Sequence, residues 1–273
     1  MLKWRFIDSG FANAAVNMAV DEAILTACSD KLVPSTFRLY GWKPAAVSLG
    51  YFQKATEEID IVECQRLGID IVRRLTGGRA VLHETELTYS IIVNEDEPEV
   101  PSSILASYRY FCNGLLCGLQ RLGIKAQMNM PKGAYGNRHK SASAACFDSP
   151  SQYEVTYENR KLVGSAQVRK NGVILQHGSI LLKFSPELVG SVFLYSSPEM
   201  RVRTIKLLEQ RAVSIEQILG RNIPWEELCA EIRDGFSQAM GIGLFEDDLT
   251  KNELQISTEL ANKKYSKDSW NFK

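Results

Sequence analysis

Apolar residues recur at helical spacing from 12 to 29, around Val16, Ala19, Val20, Ala23 and Ile24, and predict an amphipathic helix behind a short N-terminal strand. The period then falls to two. STFRLYGW (35–42) and AAVSLGYFQ (45–53) read as strands separated by the turn-forming Lys43-Pro44. A short helix, IDIVECQRLG (59–68), closed by Gly68, leads to a further strand, IDIVRR (69–74). RAVLHETELTYSIIV (79–93) continues as one or two strands, SSILASYRYFCNGLLCGLQRLG (102–123) is a long helix, and IKAQMNM (124–130) a short strand. PKGAYGNRHKSA (131–142) is polar without periodicity and reads as a mobile loop.

KLVGSAQVRK (161–170) and VILQHGSILL (173–182) flank Asn171-Gly172, the sequence of a two-residue type I′ hairpin. Lys170 should then pair with Val173, so that Gly164 faces Ser179, Ser165 faces Gly178 and Ala166 faces His177. Small residues in the middle of strands leave room for a close approach, either by another backbone or by a ligand, and Gln167, Gln176 and His177 supply polar groups nearby. From Pro186 the chain turns mostly helical, through 199–210, 214–220, 224–241 and 250–266, with no internal repeat and no low-complexity linker. The pattern predicts one α+β domain with a helical C-terminal extension.

Composition narrows the function. At 273 residues and 45% apolar the chain can bury a large core, and 32 basic against 32 acidic residues leave no global field to recruit nucleic acid or membrane. The first residues do not form a secretory leader and no apolar run is long enough to span a bilayer, so a cytoplasmic protein is expected. The six cysteines lack C-x-x-C spacing, which argues against a metal site.

Two stretches carry candidate chemistry. In RRLTGGRAVLHE (73–84), Gly77 and Gly78 sit among Arg73, Arg74 and Arg79, which suits either a solvated Gly-Gly hairpin turn or a loop wrapped on an anionic ligand. In SASAACFDSPSQYEV (141–155), Cys146 stands among small residues before an Asp-Ser-Pro turn. Lys161 is close enough in the chain to fold back on it, giving either an activated nucleophile or a buried cysteine beside a solvated lysine. Glu199 to Arg211 carries an excess of two positive charges, a docking face for an acidic partner or simply a solvated helix face.

NMAVDEAIL, FRLYGWKPAAVSLGYFQ, RRLTGGRAVLHETELTYS, CFDSPSQYEV, RKLVGSAQVRKNGVILQHGSI and KYSKDSWNF together resemble the biotin/lipoate protein ligase superfamily, from about residue 4 onward. Within it they look most like the cysteine-dependent octanoyltransferases of the LipM type, on Cys146 in its CFDSPS context and on TGGRA where ligases more often carry a third glycine. The resemblance implies mixed, largely antiparallel sheets packed with helices. It places a catalytic domain at 30–246 with the strand and helix of 1–29 packed on it, and a helical extension at 247–273. It further implies transfer of an octanoyl group from acyl carrier protein to a lysine of the glycine cleavage H protein. Cys146 would form an acyl-thioester and Lys161 would lower the thiol pKa and contact the carbonyl.

By the same analogy Arg73, Thr76, Gly77, Gly78, Arg79 and His83, with Gly164, Ser165, Ala166, Gln176 and His177, bind the substrate. The arginines are expected to meet the phosphopantetheine or the acidic carrier surface. His83 and His177 are expected either to assist proton transfer or to be structural. No ATP and no metal are expected, since phosphopantetheine arrives on the carrier. The rival readings are an ATP-dependent lipoate or octanoate ligase, an amidotransferase moving octanoate between protein lysines, and an inactive carrier-binding module.

Overall fold

Strand alternation and helix periodicity are realised in a computed structural model that describes residues 2–129 and 154–273. The chain runs β1 (Lys3–Ala12), α1 (Ala14–Ser29), β2 (Thr36–Trp42), β3 (Ala46–Leu49), α2 (Ala55–Glu58), α3 (Ile61–Arg66), β4 (Asp70–Arg73), β5 (Val81–His83) and β6 (Glu86–Asn94). It continues with α4 (Ile104–Arg121), β7 (Gln127–Asn129), β8 (Glu154–Tyr157), β9 (Arg160–Lys170), β10 (Val173–Leu181), α5 (Pro186–Val192), α6 (Pro198–Arg211), α7 (Ile215–Leu219) and α8 (Trp225–Met240). Last come β11 (Gly243–Glu246), α9 (Lys251–Leu260), a π-helical turn at Ala261–Tyr265, and α10 (Asp268–Asn271).

Among the described residues the strands form an eight-stranded sheet, ordered β11-β1-β2-β6-β10-β9-β8-β7, and a three-stranded sheet, β4-β3-β5. Only β11 with β1 and β1 with β2 are parallel in the large sheet; its other pairs are antiparallel. This is the mixed, largely antiparallel α+β fold expected.

The β9-β10 ladder has the register that Asn171-Gly172 dictates, with Gly164 opposite Ser179, Ser165 opposite Gly178 and Ala166 opposite His177. Asn171 and Gly172 take φ of 54° and 73°, as a type I′ turn requires. One strand is shorter than its pattern: β3 stops at Leu49, because Gly50 and the residues after it leave the sheet to pass beneath a loop described below. Another, β11, has too few apolar residues to stand out in the sequence and exists because β1 offers it an edge.

One face of the large sheet buries Phe37, Leu39, Tyr89, Ile91, Val163 and Ile180 against α4 and α8. The opposite face packs Ile7, Ile92 and Leu175 on α1. The small sheet covers its own core with α5 and α6, through Val47, Leu49, Val192 and Leu208. The segment after β11 folds back over α1, where Glu22 accepts from Lys264 Nζ at 2.6 Å and Tyr265 OH at 2.8 Å. Arg5 forks onto the carboxylate of Glu253, with Nη1 donating to Oε2 at 2.9 Å and Nη2 to Oε1 at 2.5 Å. No helix among the described residues is long and apolar enough to cross a membrane.

Candidate active site

β4 runs parallel to β3, and β5 runs antiparallel to it on the other side. The chain between them therefore cannot turn back as a hairpin; it has to cross the end of β3. Gly50 lies directly beneath the crossing, where a Cβ would stand 2.0 Å from the Gly78 carbonyl oxygen, and Gly78 takes φ +93°, a conformation open chiefly to glycine. The Gly-Gly pair thus belongs to a crossover loop, and the hairpin-turn alternative is excluded.

The crossover is held from within by Arg74. Its Nη2 donates to the carbonyls of Gly77 (2.8 Å) and Arg79 (2.7 Å), Nη1 to Ser48 O (2.8 Å) and Ser48 Oγ (3.1 Å), and Nε to Thr76 Oγ1 (3.0 Å). Arg73 corrects the expectation of a ligand-facing arginine. Consecutive residues of an extended chain point to opposite sides, so with Arg74 turned into the loop Arg73 is turned away. It is fully buried and donates to the main-chain oxygens of Gly50, Tyr51, Gln53, Trp270, Asn271 and Lys273. Its guanidinium ties the small sheet to the C-terminal segment and cannot greet a carrier.

A cavity of about 270 Å³ opens between the polar strip of the large sheet, α1 and the crossover loop. Met18, Tyr40, Trp42 and Val81 give it apolar walls, and Gly78, Arg79, His83, Gly164, Ser165, Ala166 and His177 line it as well. Thr76 stands behind His177, and Gly77 serves as an acceptor for Arg74. Gln176 is a second correction. Because β10 alternates, His177 facing inward turns Gln176 to the other face, where it is buried, accepts from Gln167 Nε2 at 3.0 Å and donates to Tyr89 OH at 3.3 Å. Ser179, two residues beyond His177, brings a buried hydroxyl to the cavity wall with no hydrogen-bond partner among the described residues.

Both histidines are fixed by matching relays that meet at Arg74. Asp21 Oδ2 can only accept, so His177 Nδ1–H donates to it at 3.3 Å, and His177 Nε2 accepts at 2.7 Å from Thr76 Oγ1, which itself accepts from Arg74 Nε. Likewise Arg74 Nη1 donates to Ser48 Oγ, Ser48 donates to His83 Nε2 at 2.7 Å, and His83 Nδ1–H donates to Glu86 Oε1 at 2.5 Å. The Trp42 ring stacks on His83 at 4.1 Å, and its Nε1 reaches Glu86 through Thr88.

Asp21 also accepts from Arg38 Nη1 (2.7 Å), Ser90 Oγ (2.9 Å) and Tyr40 OH (3.1 Å). Burial works to raise the Asp21 pKa, but His177 and the Arg38 charge outweigh it and hold the carboxyl below its ordinary range. Burial holds His177 below the ordinary imidazole value, against the pull of Asp21.

The model of the lipoyl protein ligase A/B catalytic domain matches residues 13–237. The chain belongs to that family.

Relatives of this lipoyl protein ligase A/B domain include octanoyltransferase LipM of Brevibacillus brevis, 45% identical over 275 residues that cover 100% of both chains. Octanoyltransferase LipM of Bacillus subtilis is 42% identical over 275 residues, covering 99% of this chain and 98% of the relative. Among solved structures, the bipartite lipoate protein ligase of Thermoplasma acidophilum superposes with a TM-score of 0.81 at 23% identity, over 100% of this chain and 97% of that one. Lipoate-protein ligase A bound with ATP gives a TM-score of 0.77 at 24% identity, over 99% and 98%. These two share the fold.

Within the family domain, Lys161 lies on β9 opposite Thr156 of β8 and is almost wholly buried. Its Nζ donates to Glu154 Oε1 at 2.7 Å, and its carbonyl accepts from Val213 N at 2.9 Å. The expectation of a solvated strand-end lysine therefore fails. Cys146 lies outside the described residues. Sequence reasoning missed Asp21, Ser48, Glu86 and Glu154, whose only signal was a polar residue at an inward position of an otherwise apolar element.

Proposed function

We propose that the chain transfers an octanoyl group from acyl carrier protein to a lysine of the glycine cleavage H protein, as the first step of protein lipoylation. The observation that carries this reading is the full-length similarity to relatives that are octanoyltransferases, at 42–45% identity. The geometry suits it: a largely apolar cavity takes an acyl chain, and a buried lysine stands three residues from the small-residue patch of β9.

In the first half-reaction the Cys146 thiolate attacks the thioester carbonyl of the donor. The bond from carbonyl carbon to the phosphopantetheine sulfur breaks, the departing thiolate takes up a proton, and the octanoyl group rests on Sγ. In the second, the acceptor lysine as the free amine attacks the same carbon, the carbon–Sγ bond breaks, the nitrogen releases a proton to solvent as the amide forms, and the cysteine thiolate is restored. The Lys161 ammonium favours the thiolate and steadies the oxyanion that develops at each attack. Ser179 is a further donor for a carbonyl oxygen, since a buried hydroxyl left unmatched costs about 1–3 kcal/mol. Thioester exchange is close to isoenergetic and aminolysis runs downhill, so the scheme needs no ATP.

Four of the remaining cysteines are buried and poorly suited to act as nucleophiles. Burial pushes Cys28 to about 11, and Cys64 and Cys112 to about 12, and it raises Cys229 as well. Intact-protein mass spectrometry after mixing with octanoyl-acyl carrier protein, without nucleotide, tests the proposal. A hydroxylamine-sensitive gain of about 126 Da (C8H14O), absent in Cys146→Ser and slowed in Lys161→Ala, is expected. Activity that appears only with ATP and free octanoate, and that survives Cys146→Ser, would make the chain a ligase.

A further inference from the structure

We propose that the outward face of α6 is the dock for the acyl-bearing carrier, recognised as an acidic protein whose cargo rides a long flexible arm. The inference rests on the octanoyl-transfer reading and names the donor's surface within it. α6 carries Arg201, Arg203, Lys206 and Arg211 against Glu199 and Glu209. Arg201, Arg203 and Lys206 are exposed and form no ion pair among the described residues; other exposed lysines without one, such as Lys43, Lys125 and Lys251, stand singly, whereas these three fall within six residues of one helix. Glu63, the acidic group whose charge Arg201 feels, is already engaged by Arg66 at 2.7 Å. In a chain with no net charge, Arg203 and Lys206 stand unmatched on the helix face that Val202 centres, with Arg201 exposed farther round the helix, and together they give this end of the helix a local positive field.

The face also has an apolar centre. Val202 is 53% exposed, and with Pro198 and Leu207 it lines a shallow groove edged by Arg203, Lys206 and Glu199. Apolar contact framed by charge is the anatomy of a protein interface.

Continuity with the site selects the occupant. α6 ends at Arg211, and the next residue, Ala212, bridges directly to Lys161. At 1.5 Å per residue, Val202 lies about 15 Å along the helix from that bridge. No α6 residue lines the cavity, so a partner seated on Val202 has to reach inward over this length. An acceptor's lysine side chain is too short to do so, whereas a phosphopantetheine arm spans it. The donor therefore fits this surface, and the acceptor has to dock closer to the cavity.

The test is the triple charge reversal Arg201→Glu, Arg203→Glu, Lys206→Glu in the full chain. Binding of fluorescently labelled octanoyl-acyl carrier protein is measured by anisotropy, beside turnover of octanoyl-pantetheine, which carries the same thioester without the protein. The expected result is a Kd for the carrier raised at least tenfold at low salt, converging with wild type at high salt, with turnover of octanoyl-pantetheine and the KM for the acceptor unchanged. Unaltered carrier binding overturns the proposal. A parallel loss with octanoyl-pantetheine overturns it too, by assigning α6 a structural role, and so does a rise in acceptor KM alone. Weakened carrier binding by the variant of a wild-type protein that transfers octanoate from neither donor would leave the dock standing and remove the octanoyl-transfer reading.

Discussion

Arg74 is a single guanidinium shared by two histidine relays, each of which ends on a carboxylate. Asp21 and Glu86 can only accept, so each imidazole keeps its proton on Nδ1 and takes the Thr76 or Ser48 proton at Nε2, while Arg74 Nε and Nη1 donate to the same two hydroxyls and hold them in place. Arg74→Lys keeps the charge but has no planar fork to serve both oxygens and the loop carbonyls at once. Long-range 15N–1H spectra should still place the proton of both imidazoles on Nδ1, while the carbonyls of Gly77 and Arg79 lose their donor and the urea midpoint falls.

His177 also sets a pH dependence. Its folded pKa lies below the ordinary 6.5, so between the two values the unfolded chain binds more protons than the folded one. This contribution is complete above about pH 6.5 and is lost as pH falls from there toward the folded value. Urea midpoints taken from about pH 7.5 down to about pH 5 should fall more steeply for wild type than for His177→Gln. The sequence offered both histidines as candidates but neither carboxylate partner of the relays as one. Glu86 is only three residues from His83, but nothing short of the β5-β6 geometry turns it inward, and Asp21 is 156 residues away from His177.

At the scale of elements, α4 and α8 meet more closely than side chains allow. A Cβ on Gly235 would lie 2.2 Å from Gly118 N and 2.3 Å from Gly118 Cα, so the two backbones touch at this crossing. Gly235→Ala has to push the helices apart and strain the core they share with Phe37 and Phe236, at a cost of about 1–3 kcal/mol measurable as a lower urea midpoint. The β9-β10 register could be read from two residues, because Asn-Gly accepts the left-handed conformations of a type I′ turn and the ladder follows from it. β11 could not be read in the same way. Its four residues, Gly243 to Glu246, owe their strand to the edge of β1, and nothing local in them announces it.

For the whole molecule, Arg73 is a seam where the sequence suggested a contact. Arg73→Lys would leave most of its main-chain oxygens without a donor and loosen residues 270–273 from the small sheet, a loss of about 3 kcal/mol or more by denaturation. Carrier affinity should be untouched, which separates this arginine from those of α6. The clustering of Arg73, Arg74 and Arg79 in the sequence suggested one shared task; their alternation along the backbone divides it, and only the fold shows which side is which.

The edge that β1 presents to β11 has a consequence for synthesis. β1 leaves the ribosome about 240 residues before its outer partner at 243–246, and Arg5 waits for Glu253 on α9. Until those segments emerge the nascent chain carries an open strand edge and an arginine bound for the interior without its carboxylate, the combination that invites pairing with neighbouring chains. Yield of native protein should accordingly depend on how quickly translation delivers β11 and α9, and on chaperones that shield the β1 edge until they arrive.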